Sequence, residues 1–141
     1  MITLTFDMQI QAPREKVWRS LWDDANYREW TSVFTAGSYA KSAWQQGSRI
    51  DFLNPSGSGI WAIIDTLIPG TQMTFKHQGE IREGKDVDGG EWKGALESYF
   101  LSDEAGGTLL HCELQTTSDF QKYFNDTFPK AIEAVKHIAE R

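Results

Sequence analysis

The sequence predicts an α+β domain with an antiparallel sheet of about six or seven strands and one long C-terminal helix. Three observations carry this. Residues 2–10 alternate apolar with polar side chains at a period of two, as in a strand with one buried face. The middle of the chain is punctuated by glycine and proline at the intervals of an antiparallel meander. Near the C-terminus, Phe120, Phe124, Phe128, Ala131, Val135 and Ile138 instead recur at helical spacing. At 141 residues the chain has the size of a single domain, taken as 1–141.

Each element has its own signal. In the first strand Ile2, Leu4, Phe6, Met8 and Ile10 share one face, with Thr3, Thr5, Asp7 and Gln9 on the other. Pro13 ends the strand and suits the first position of a short helix to about Asp23, with Val17, Trp18, Leu21 and Trp22 at helical spacing. Asn26 and Glu29 are spaced as a capping box, predicting a second helical turn through Tyr27 and Trp30. Strands are expected near 37–43, 47–54, 59–68, 71–78, 91–102 and 107–117. Within them, Met73, Phe75 and His77 share an inward face, as do Leu110, Cys112 and Leu114, leaving His111 and Glu113 outside. The segment 79–90, GEIREGKDVDGG, is too polar to pack and is expected as a mobile loop. Ser118 and Gln121 are spaced as N-cap and third helical residue of the last helix, and Pro129 is expected to kink it near 125–128 or split it into two halves.

Composition excludes several function classes. Twenty acidic against fourteen basic side chains give a net charge of -6, opposite to what a phosphate backbone attracts, so no nucleic-acid partner is expected. Mean hydropathy is -0.48, and no apolar run is long enough for membrane insertion. The N-terminus shows no signal-peptide pattern, so a cytoplasmic location is expected. The single cysteine, Cys112, reads as a small buried apolar residue, and His77, His111 and His137 show no metal-ligand spacing; neither metal nor cofactor is expected. Eighteen aromatic residues, six of them tryptophan, point to a large core or a lined cavity.

Several segments carry a resemblance: IQAPREKVW at 10–18, WTSVF at 30–34, GSRIDF at 47–52, TFKHQGEI at 74–81, WKGALESYFL at 92–101, GGTLL at 106–110 and FPKAIEAVK at 128–136. In this order they resemble the SRPBCC (START-like) superfamily, and within it the homologues of the activator of heat-shock-protein ATPase (AHSA1-like). The resemblance implies a helix-grip fold, with an apolar cavity between the sheet and the C-terminal helix as the default ligand site. It also decides the phase of the strand at 91–102. Period alone would bury Trp92, Leu96 and Phe100; the superfamily pattern turns Glu97, Tyr99 and Leu101 inward and leaves the even positions on an outer apolar stripe that self-association into a homodimer would cover.

On this reading the ligand-binding candidates are Trp30, Phe34, Phe52, Ile64, Phe75, His77, Glu97, Tyr99, Phe120, Phe124 and Phe128. A carboxylate such as Glu97 in an apolar setting is costly unless it is paired, hydrogen-bonded or protonated. With Tyr99 and His77 it forms either a ligand-orienting polar set or a structural network, and no catalytic residue is assigned. The function expected first is binding of a small hydrophobic or aromatic molecule. A cyclase- or hydratase-type enzyme using the cavity's polar residues is the alternative. A chaperone ATPase-modulating role, implied by the family name alone, comes last, because function is argued from a site and not from a fold.

Overall fold

A computed structural model describes residues 1–141. The elements follow the order β1 (Ile2–Ile10), α1 (Arg14–Trp22), α2 (Asp24–Thr31), β2 (Tyr39–Ser42), β3 (Arg49–Leu53), β4 (Gly59–Ile68), β5 (Gln72–Arg82), β6 (Lys85–Asp88), β7 (Leu96–Glu104), β8 (Gly107–Thr116) and α3 (Gln121–Glu140). The eight strands form one antiparallel sheet in the order β1-β8-β7-β5-β4-β3-β2, with β6 paired to β5. The alternation read in β1 holds, with Leu4 and Ile10 buried and Thr3, Thr5 and Asp7 exposed. Helix α3 lays Phe128, Ala131, Ile132, Val135, Ile138 and Ala139 into the core, where burying each large apolar side chain contributes roughly 1.5–3 kcal/mol. No helix is long and apolar enough to cross a membrane.

Two expectations fail at the caps, and of the two alternatives at Pro129 the split helix is not found. Helix α2 begins at Asp24 and runs to Thr31, so Asn26 lies inside it and donates to the carbonyl of Arg19 instead of capping. Ser118 opens a 3-10 turn over Ser118–Phe120, and Phe120, not Ser118, precedes α3, with no side-chain cap. Helix α3 runs unbroken across Pro129, which is exposed; a proline costs its own N–H bond but does not here divide the helix.

The largest correction concerns 79–90, which is a β-hairpin. Its turn is Glu83-Gly84, both with positive φ, +50° and +81°, the backbone a two-residue type I′ hairpin requires. Its many charges reflect a sheet edge, where side chains on both faces reach water. Arg49 of β3 ties the hairpin down, donating two hydrogen bonds to Asp86 at 2.8 and 2.9 Å while its guanidinium stacks 4.1 Å above the Trp61 ring.

One edge of β5 pairs with β4 along its length. The other pairs with β7 over Gln72–Lys76 and then with β6 over Gly79–Arg82. The register with β4 slips between Trp61 and Ala62 and again between Ile64 and Thr66. Such bulges sharpen local twist and curvature, and here they curl the sheet around α3.

On the outer face, His111 lies between two carboxylates, 2.6 Å from Asp7 and 3.0 Å from Glu113. Ionised carboxylates only accept, so both ring nitrogens are engaged only when the imidazole carries both protons. The hydrogen bond to Asp7, then that to Glu113, raises its pKa above 6.5. Such stabilisation is present below the unfolded pKa and is lost as pH rises through the higher folded one. His111→Gln is therefore expected to lower stability at pH 5.5–6, by up to about 1 kcal/mol after allowance for solvent screening, with the gap narrowing as pH rises to 9. Urea unfolding of both proteins across that range checks this; a gap that widens with pH would contradict it.

Candidate functional site

The site arises where β5 changes partners. Between the end of its pairing with β7 and the start of β6, His77 is held by backbone bonds to the residues just before β7: its N–H donates to Ala95 O at 2.9 Å and its carbonyl accepts from Gly94 N–H at 2.7 Å. The bulge skips Gln78, which turns His77 inward beside Ala62. Two residues on, a Cβ at Gly79 would stand 2.6 Å from Val87 O and 2.9 Å from Trp61 Nε1, so only glycine allows β4, β5 and β6 to approach there.

Across from His77, β7 presents Glu97 and Tyr99 on the same inner face, in the phase the resemblance implied. His77 Nε2 lies 2.9 Å from Glu97 Oε1, and the Tyr99 hydroxyl donates to Glu97 Oε2. As the carboxylate only accepts, Nε2 is the protonated ring nitrogen. His77 is 7% and Glu97 19% exposed at the side chain. His77 Nδ1, by contrast, is buried and has no partner. Burial pushes the Tyr99 phenol well above its usual pKa, and the Glu97 charge pushes it further. It therefore remains a donor to Glu97 throughout the physiological range.

These groups open on a cavity of about 430 Å³ between the sheet and the first half of α3, within the range of small-molecule sites. Fifteen of its twenty-six lining residues are hydrophobic. Of the candidates, Trp30, Phe34, Phe52, His77, Glu97, Tyr99, Phe120, Phe124 and Phe128 all line it. Ile64 and Phe75 do not. Both are fully buried in the core, Phe75 packed edge-on against Phe52, Trp22 and Tyr99. Phe120 and Tyr123 are 48% and 45% exposed, marking the mouth. Hydrogen bonds to Ser56 and Ser58 fix the side chain of another lining residue, Asn54.

Trp92 is a correction. It belongs not to an outward stripe on β7 but to a 3-10 turn over Gly90–Trp92, and its ring meets His77 edge-on at 6.2 Å, lining the cavity. Leu96 and Phe100 do lie on the opposite face from Glu97, both half-buried. Tyr27, Tyr39, Glu80 and Tyr123 also line the cavity without having been singled out. Tyr123 sits one residue off the apolar stripe, and Glu80 lies in the segment read as a loop. No three His, Cys, Asp or Glu side chains are grouped as a metal set would be.

Cys112 lies on the inner face of β8, 1% exposed. Burial pushes its thiol well above the usual range, and the nearby Glu97 and Asp7 charges add to this. A thiol kept neutral and out of reach is unreactive. Ellman's reagent at pH 8 is expected to leave the native protein unlabelled over minutes and to titrate one thiol in denaturing urea. Rapid native labelling would contradict the burial.

No protein-family model and no curated protein sequence matches this chain. Solved structures do match along nearly its whole length. The Aha1 dimer from Colwellia psychrerythraea is 23% identical, with a TM-score of 0.76, covering 99% of this chain and 97% of that one. The AHSA1-like protein from Aeromonas hydrophila is 13% identical with a TM-score of 0.72, covering 99% and 92%. CalU16 from Micromonospora echinospora is 18% identical with a TM-score of 0.69, covering 97% and 75%. Likeness over nearly the whole chain at such low identity establishes architecture and not activity: the chain has the helix-grip fold that these Aha1 and AHSA1-like structures share with it.

Proposed function

We propose that this protein binds a small hydrophobic or aromatic molecule between the sheet and α3, oriented by His77, Glu97 and Tyr99, and that it does so in the cytoplasm. The observation that carries this is a mostly apolar cavity of about 430 Å³ into which His77, Glu97 and Tyr99 set one hydrogen-bonded polar cluster. Apolar burial supplies affinity and a few convergent polar atoms supply orientation. Native against denaturing mass spectrometry of the purified protein tests the reading. A reproducible small mass lost on denaturation supports it. No co-purified mass, together with no tryptophan response to a library of aromatic compounds, would end it, because Trp30 and Trp92 line the cavity.

The linked His77, Glu97 and Tyr99 side chains favour a second reading, a cyclase- or hydratase-type enzyme moving a proton within the cavity. It requires a pH-dependent turnover lost on substitution of His77 or Glu97; a ligand bound and released unchanged would count against it. Self-association is proposed in addition, because Leu96 and Phe100 present apolar surface on the outer face of β7 and the similar Colwellia protein is a dimer. Light scattering that reports a monomer at micromolar concentration would reject it.

A further inference from the structure

We infer that the cavity selects by charge, accepting aromatic cations, with neutral hydrogen-bond donors next, and rejecting carboxylates. The inference rests on the ligand-binding reading above and specifies the class of ligand. Two acidic residues, Glu80 and Glu97, line the cavity, and neither lysine nor arginine does. Glu80 is offset by its own ion pair, so Glu97 is the lining carboxylate without a lysine or arginine beside it, and the two guanidinium groups that touch lining residues are engaged. Arg82, 69% exposed, pairs with Glu80 at 2.9 Å. Arg28 stacks 5.1 Å above the Tyr39 ring and pairs with Asp24 at 3.0 Å.

Neither a phenol nor a neutral imidazole brings a positive charge to Glu97. Tyr99 gives its one proton to a hydrogen bond with Glu97 and adds no positive charge. In the neutral ring, His77 donates through Nε2 and leaves Nδ1 as a buried acceptor with no donor. The part of the cluster that reaches the cavity is the Glu97 carboxylate, 19% exposed, whose spare lone pairs only an N–H or O–H group satisfies. An incoming carboxylate would lose its hydration and meet another anion in a setting of low dielectric, which is the costlier exchange. Phe52 and Trp92 stand against the His77 ring at 6.0 and 6.2 Å, and Phe124 lines the same cavity; aromatic ring faces attract cations and repel anions. A fatty acid or aromatic acid is thus the wrong occupant, and an arylalkylamine the right one.

The test uses three probes that share a naphthalene ring: 2-naphthylmethylamine (cation), 2-naphthalenemethanol (neutral) and 2-naphthoate (anion), titrated calorimetrically into the wild-type protein at pH 8. The expected order is amine, alcohol, naphthoate, with the amine at least about tenfold tighter than naphthoate and the gap shrinking in 1 M salt. In Glu97→Gln the gap is expected to fall below about threefold. The wild-type order is decisive by itself if that variant folds poorly. Binding of the alcohol with naphthoate equal to or tighter than the amine overturns the charge inference and leaves the cavity reading intact. Binding of none of the three overturns both.

Discussion

Phe128→Ala is expected to lower the unfolding free energy by about 3–5 kcal/mol, the range for truncating a buried phenylalanine. Phe128 is 2% exposed at the junction of core and cavity. Its ring stacks on Phe6 at 4.8 Å and lies 5.9 Å from Phe34 and 6.3 Å from Tyr99. Alanine there removes the link between β1, the chain after α2 and β7 at one stroke. Phe124→Ala, on a half-buried residue one turn nearer the mouth, is expected to cost only about 1 kcal/mol or less and to show its effect in ligand affinity. Urea unfolding followed by far-ultraviolet circular dichroism separates the two. Equal losses would mean that α3 grips the sheet uniformly and that the cavity does not reach Phe124.

That contrast marks a limit of periodicity. Phe120, Phe124 and Phe128 are equivalent positions on one stripe, yet the structure grades them from 48% exposed through half-buried to 2%. A stripe says which face turns inward and nothing about where the sheet opposite it ends. Strands with one plainly polar face were legible: β1 and β8 alternate as read, and β5 turns Met73, Phe75 and His77 inward as read, although Thr74 on its other face is buried too. The strand β7 was not, because its outer face carries Leu96 and Phe100, the latter packed 5.9 Å from His111, while its inner face carries a carboxylate. Glu97 is tolerated inside because Tyr99 of its own strand and His77 of another both bond it, and a pattern within one strand cannot contain the second of these. Only the likeness to a family supplied the phase. Trp92 was misplaced for a related reason. Gly90 at φ +61° and Gly94 at +88° fold the preceding residues into a 3-10 turn, which ends the strand period before it reaches Trp92. The hairpin at 79–90 was hidden by its charges, although Gly84 marked the turn.

Glu97→Leu is expected to destabilise the protein by about 2–4 kcal/mol, although leucine is the more apolar residue. The loss comes from the groups left behind. His77 Nε2–H and the Tyr99 hydroxyl both point at Glu97, and a buried donor without an acceptor costs about 1–3 kcal/mol. Glu97→Gln keeps an acceptor for one of them and is expected to cost nearer 1 kcal/mol. The double variant Glu97→Leu with Tyr99→Phe removes one stranded donor along with its acceptor. Removing both members of a hydrogen bond is far cheaper than removing one, so the double variant is expected to recover about 1 kcal/mol relative to Glu97→Leu alone. Additive losses in the double variant would mean that the Tyr99 hydroxyl contributes through a partner other than Glu97. A Glu97→Leu protein as stable as wild type would mean that the three side chains do not act as a unit, and both the orienting role of the cluster and the charge selectivity drawn from it would fall together.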